Sequence, residues 1–230
     1  LSLEFFETDV QLIMDEYLAG LISEEQFIKL SRAPANYEEA YRALIQFAKD
    51  NSIPVIAANA PRRYVSLIRR VGRDGMKTAL LPPAQALLPP MPVEAASKSY
   101  EQKFNSIMAA IRGGQSGADS KAVEAKPLVP PSMIDAQNLW DATMAFSLAS
   151  VFRNFDADCQ KGLRPLVFHV CGTFHVENRL GIPEHLVRYA PQLQICSIVC
   201  TPDPDMKFRK DLHTNAADFV ILTQPNEEAQ

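Results

Sequence analysis

The chain has 230 residues, 47% of them hydrophobic and 22% charged, enough to bury the core of one large domain or two small ones. Lys and Arg number 23 against 27 Asp and Glu, a net charge of −4 without a basic block, which argues against a nucleic-acid partner. No run of about 18 apolar residues occurs, so nothing here reads as a membrane-spanning helix, and four scattered cysteines are too few for a disulfide-stapled scaffold.

The first residues, Leu1 to Phe6, have strand character. The chain thus opens inside core-like sequence, and the expectation is a domain entered midway. Thr8 or Asp9 can cap the helix that follows, whose apolar stripe is Val10, Ile13, Met14, Tyr17 and Leu18, with Gly20 ending it. Ser23 with Gln26 reads as a capping box opening a short helix. Asn36 is expected to cap one helix from Tyr37 to Asp50. The apolar run Ile53 to Ala58 then reads as a buried parallel strand. Asn59-Ala60-Pro61 turns the chain into a helix from Arg62 to Val71, with Pro61 suited to its first position and Gly72 near its end.

Five prolines between residues 82 and 92 predict an extended connector rather than a helix. A helix is expected from Ser97 to Ile111, and residues 113–131 are expected to form a flexible Gly- and Pro-rich insertion. Ser132 opens the longest helix, to Phe155. Strands follow at Leu166–Cys171, Gln194–Cys200 and Asp218–Leu222, with a helix at Pro183–Tyr189 between the first two. Strands alternating with helices predict an α/β fold, a mostly parallel sheet flanked by helices. Ligands in such folds sit beyond the carboxyl ends of the strands.

Two polar clusters fall at those ends: Asn59 to Arg63, and Gly172 to His175. His175 follows a strand and a glycine, where an imidazole can point into the crevice as a ligand or as an acid or base. Glu4 sits between Leu3 and Phe5, so its carboxylate must be paired or face a polar pocket. It could orient a histidine or ligate a cation. Arg62 and Arg63 start a helix, where exposed N–H groups favour an anion such as a phosphate or a propionate. Gln137 and Asp141 share one face of the long helix. His169 reads as a satisfied core histidine, His185 and His213 as surface. Cys171, Cys196 and Cys200 lie in apolar runs and read as buried free thiols. No nucleophile-elbow serine, Walker or dinucleotide glycine motif is present, and no zinc spacing.

Taken in order, these strings resemble the ChaN family of haem-binding uptake proteins, within the Tiki/TraB superfamily. The similarity is carried by Glu4-Phe5-Phe6 with Gln11, Asp15 and Tyr17-Leu18; by Asn59-Ala60-Pro61-Arg62; by Ala136-Gln137 with Trp140-Asp141 and Met144-Ala145; and by Gly172, His175-Val176 and Gly181-Ile182-Pro183. The resemblance implies one α/β domain over residues 1–230, haem or iron handling, and a homodimer clasping haem. It implies cofactor-binding roles for Asn59, Arg62, Gln137, Asp141, Gly172 and His175. It also leaves room for a divalent metal on His175 and Glu4, as in the hydrolases of the superfamily, or for a scaffold that lost its chemistry.

Family members open with a strand ending in Gly-Glu-x-His. That string is not in this sequence, so the domain is expected to lack its first strand and helix, leaving an exposed sheet edge. The axial haem ligand is not set by the motifs, and Tyr17, Tyr37, Tyr41, Tyr64, Tyr100 and Tyr189 are all formal candidates. A further likeness, to domains of chloroplast RETICULATA-related proteins, implies a chloroplast location and attachment to a membrane region outside this segment.

Overall fold

The computed structural model describes residues 1–113, 129–155 and 165–225. It divides into two compact units: Leu1–Asn59 with Asp141–Gln230, and Ala60–Trp140. The 113–131 insertion lies almost wholly outside the described residues.

In the first unit, β1 (Ser2–Glu7) leads through a 3-10 turn at Thr8–Val10 into α1 (Gln11–Leu18). Neither Thr8 nor Asp9 caps α1. Val10 holds the N-cap position without a side-chain bond. Gly20 does end the helix. Its φ of +74° sets the left-handed turn, with Gly20 N–H bonded to Tyr17 O and Leu21 N–H to Glu16 O. The capping box forms as expected: Ser23 Oγ accepts from Gln26 N–H at 3.2 Å, Gln26 Oε1 accepts from Ser23 N–H at 3.0 Å, and α2 (Glu24–Leu30) follows.

The single helix expected after Asn36 is two, α3 (Tyr37–Ala40) and α4 (Arg42–Asp50), and Asn36 makes no side-chain cap. The break falls at Tyr41, whose ring packs 4.1 Å from that of Phe5.

The next strand is β2 (Ile56–Asn59). Together with β3 (His169–Val170) it flanks β1 in the order β2-β1-β3, both pairs parallel. Ser2 stands opposite Ile56 on one side and His169 on the other. The sheet buries Leu3 and Phe6 with Val10, Met14, Tyr17, Phe27, Tyr37 and Ile45. Phe27 is the aromatic hub, with ring centroids 4.5 Å from Tyr17, 5.6 Å from Phe6 and 5.8 Å from Tyr37. The outer edge of β2 is occupied by a side chain. Gln11 Nε2 donates to Val55 O at 2.8 Å, and Ala57 N–H donates to Gln11 Oε1 at 2.7 Å.

The later strands do not extend this sheet. A second, two-stranded parallel sheet forms from β4 and β5, Ile198–Pro202 and Phe219–Thr223, with Ile198 opposite Phe219. The expected parallel pairing is present, but in two sheets. Strict alternation sends Ser197 and Val199 inward and Cys196, Ile198 and Cys200 outward, so Cys196 and Cys200 are exposed free thiols rather than buried ones. Cys171 is partly buried.

The second unit is helical. Pro61 is the N-cap residue, one place earlier than expected, and the helix begins at Arg62. It continues to Ala79, but Gly72 at φ +71° and ψ 171° divides it. The expected stop is thus a break followed by another helical stretch. The Pro-rich connector contains one helical turn, Pro82–Gln85, because proline is tolerated at the first position of a helix. A helix at Lys98–Gly113 follows, with Ser97 Oγ accepting Tyr100 N–H at 3.1 Å. The long helix Pro131–Phe155 supplies its first part to this unit and its second part, from Asp141, to the first.

Candidate functional site

Three elements of the first unit bring polar groups to one point. β1 supplies Glu4. The long helix supplies Asp141, and Ser147 on the same helix donates to Ala58 O at 3.1 Å, holding the helix against the end of β2. The turn after β3 supplies Gly172 and His175. That turn is a 3-10 helix, Thr173–His175, closed by His175 N–H donating to Gly172 O at 3.0 Å.

His175 is 7% exposed and stands between two carboxylates. Its Nδ1 lies 2.5 Å from Asp141 Oδ1, and its Nε2 lies 3.2 Å from Glu4 Oε1. The second oxygen of Glu4 accepts Gly172 N–H at 2.6 Å. Asp141 is fully buried. Burial opposes charge on the ring, but hydrogen bonds and negative charge from Asp141 and Glu4 outweigh it and raise the His175 pKa to about 10. Burial likewise pushes Glu4 upward, and the hydrogen bond and charge of His175, with the Gly172 amide, bring it below its ordinary value. Both carboxylates favour the imidazolium form of the ring, which donates on both sides. Among the described residues, no three His, Cys, Asp or Glu side chains are arranged to hold a metal ion.

Gly181 completes the cluster. Its φ is +74°, and a Cβ there would come 2.8 Å from His175 O and 3.0 Å from Asp141 Oδ2. Both the backbone angle and the close approach of the carboxylate require glycine. The sequence shows Gly181 only as the start of Gly181-Ile182-Pro183; nothing local marks it as a neighbour of Asp141. Gly172 is less constrained, since a Cβ there would meet Glu4 and His175 only at 3.7 Å.

Two further groups lie beside the cluster. His169 Nδ1 is 2.9 Å from Ser2 Oγ, while its Nε2 is buried without a partner. The reading as a satisfied core histidine thus holds for one nitrogen. Burial lowers its pKa to about 4, so it stays neutral beside the charged His175. Burial, with Glu4 and Asp141 adding to it, pushes the Cys171 thiol up to about 12, so it stays protonated.

Of the residues singled out in the sequence, Glu4, Asp141, Gly172 and His175 come together. Asn59 ends β2, half-buried and opposite Glu7. Arg62 and Gln137 belong to the second unit. Arg62 is exposed at the first turn of its helix, and Gln137 is half-buried one turn before Asp141. His185 and His213, read as surface, are buried at 2% and 3% exposure. The short helices that carry them, Ile182–Tyr189 and Lys210–His213, leave the covered face open, because tertiary packing sets it.

An α/β domain in which a parallel strand and the turn after its neighbour hold a buried histidine between carboxylates is the class defined by this geometry. The chain belongs to the haem-binding uptake family of the Tiki superfamily, ChaN, whose model matches residues 1–186. A solved structure described as cofacial heme binding to ChaN of Campylobacter jejuni is similar to it, with a TM-score of 0.57 and 13% identity over 95% of this chain and 71% of that one. At that identity the likeness shows the fold. No curated protein matches the chain.

Proposed function

We propose that this chain binds and handles haem, with the ligand held by the helix start at Arg62–Tyr64 rather than by His175. The family supplies the ligand class. A haem iron takes a His nitrogen, a thiolate, a thioether or a phenolate oxygen as axial ligand. His175 does not fit that need, because carboxylates face both of its nitrogens. Tyr17, Tyr37 and Tyr100 are buried. Tyr41 packs at a tilt against Phe5, and Tyr189 packs on Phe146 with ring centroids 5.5 Å apart.

Tyr64 remains, and its setting carries the reading. It is half-buried, it lies in the first helical turn, and the Arg63 guanidinium sits 4.5 Å over its ring. Arg62 and Arg63 are both exposed. The phenol oxygen of Tyr64 would meet the iron at a helix start that itself favours anions such as the propionates. Bound haem would supply an iron whose properties the phenol oxygen tunes.

Hemin titration tests this. The wild type is expected to show a saturable Soret change, Tyr64→Phe to lose the phenolate charge-transfer band, and Arg62→Ala with Arg63→Ala to weaken binding about tenfold. No saturable change in the wild type overturns the reading. The homodimer belongs to the same proposal. Cofacial binding, described for the Campylobacter protein, would here make dimer formation depend on hemin in sedimentation experiments.

A further inference from the structure

The two sheets finish their edges differently. Gln11 occupies the outer edge of β2. Among the described residues, no strand pairs with the outer edge of β5. Phe219 N–H donates to Ser197 O at 3.0 Å, and Thr223 O accepts Asp203 N–H at 2.8 Å. Phe219, Ile221 and Thr223 therefore turn their backbone groups toward β4, and alternation turns those of Val220 and Leu222 outward. Neither the N–H nor the C=O of Val220 or Leu222 meets a partner among the described residues. The outer edge of β4 is blunter, because Pro202 at its end has no N–H to offer.

The strand itself, Phe219-Val220-Ile221-Leu222-Thr223, holds β-forming residues with no charge, glycine or proline. Such a strand is the readiest to pair with another. One face of its sheet is uncovered as well. Ile198, Phe219 and Ile221 are 48%, 62% and 50% exposed, beside exposed Cys196 and Cys200. Parallel strands are normally covered on both faces, and a two-stranded sheet is marginal by itself. This sheet is therefore open to a further strand.

The register selects the occupant. A second β5, laid antiparallel with a twofold axis at Ile221, places Val220 opposite Leu222 of the second copy, and the reverse by symmetry. Each such pair exchanges two N–H···O bonds, so every open group of Val220 and Leu222 is met in both copies. Ile221 meets its own counterpart, Phe219 meets Thr223, and Asp218 meets the uncharged Gln224. Asp218 is already paired with Arg179 and Ser197. No like charges face each other along the edge. A foreign strand would have to supply that pattern from its own sequence, whereas the second copy supplies it by symmetry.

We propose that β5 is a homodimerisation edge, at which the two-stranded sheets of two copies join into one continuous sheet about a twofold axis at Ile221. The edge lies beyond the residues that the family model matches, and the contact needs no haem. It is separate from the hemin-dependent dimer.

Sedimentation of the full chain without hemin tests it. The wild type is expected to reach a monomer–dimer equilibrium below about 200 μM. Ile221→Lys and Ile221→Glu each set like charges across the axis, and each should weaken the dimer at least about tenfold. An equal mixture of the two should restore it, because opposite charges then face each other. Loss of a general apolar contact would not be restored in this way. The Ile221 side chain is half exposed, so both variants should keep the wild-type melting temperature. A wild type that stays monomeric to about 200 μM without hemin overturns the proposal. So does a dimer indifferent to either charge, or a mixture that fails to pair.

Discussion

The Glu4–His175–Asp141 cluster and the Asp203–His213 loop each bury a histidine, by opposite means. His175 is held by two carboxylates from distant parts of the chain and carries a charge. His213 accepts one backbone N–H from its own loop, and its Nε2 is buried with no partner. The first arrangement ties β1, the long helix and the turn after β3 together. The second organises a surface loop. Burial of a polar side chain thus marks a structural junction in one region and the underside of that loop in the other. The partners of the side chain, rather than its burial, tell the two apart.

The largest effect should come from stranding the charge. Asp141→Ala leaves the His175 imidazolium with one partner, and a loss of about 3–5 kcal/mol is expected in urea unfolding, enough to unfold much of the chain. If Asp141→Ala costs under about 1 kcal/mol, the ion cluster is not the junction described here.

The same contact has a pH signature. The folded pKa of His175 is raised to about 10 from an ordinary 6.5, so its stabilisation is complete below pH 6.5 and fades as pH climbs toward 10. His169, and His185 with Arg188 adding to its burial, are lowered to about 4. They act in the opposite sense, costing stability as pH falls from 6.5 to 4. Thermal melts across pH should therefore decline on both sides, and His175→Gln should flatten the alkaline side alone.

Gly181→Ala comes next, at about 3 kcal/mol, from a positive φ and a Cβ against His175 O and Asp141. Its effect should shrink in an Asp141→Ala background if the close approach matters as well as the backbone angle. In the loop, His213→Ala should cost about 2 kcal/mol through the lost acceptor and the cavity. Arg209→Ala should cost under about 1 kcal/mol, because the guanidinium is half-exposed and Asp203 keeps its backbone N–H partner. A loop change larger than the Asp141 effect would reverse the ranking of the two regions.

Much of the first unit was legible in the sequence. The capping box at Ser23, the stop at Gly20 and the strand at β1 follow from local rules. Glu4, Asp141 and His175 were each conspicuous: a carboxylate in a strand, an acid on an apolar helix and a histidine after a strand. Their mutual pairing was not legible, because it spans residues 4 to 175 and depends on sheet order. Nor was the division into two sheets, since β4 and β5 have the same apolar, β-branched character as a strand of the first. The break at Tyr41 and the burial of His185 are tertiary effects that helical periodicity does not record. Gly181 stands in the Gly181-Ile182-Pro183 string, while its reason, the approach of Asp141, lies 40 positions away.

The amide of Gln11 has a consequence for solubility. An edge strand normally shows a row of unmet N–H and C=O groups, a template for any other extended chain. Here one side-chain amide occupies the outward carbonyl of Val55 and the outward N–H of Ala57, copying the hydrogen bonds a neighbouring strand would make. The outer edge of β2 is thus closed at these two groups by a residue of the same chain. Removing that amide would turn a finished border into an invitation to polymerise.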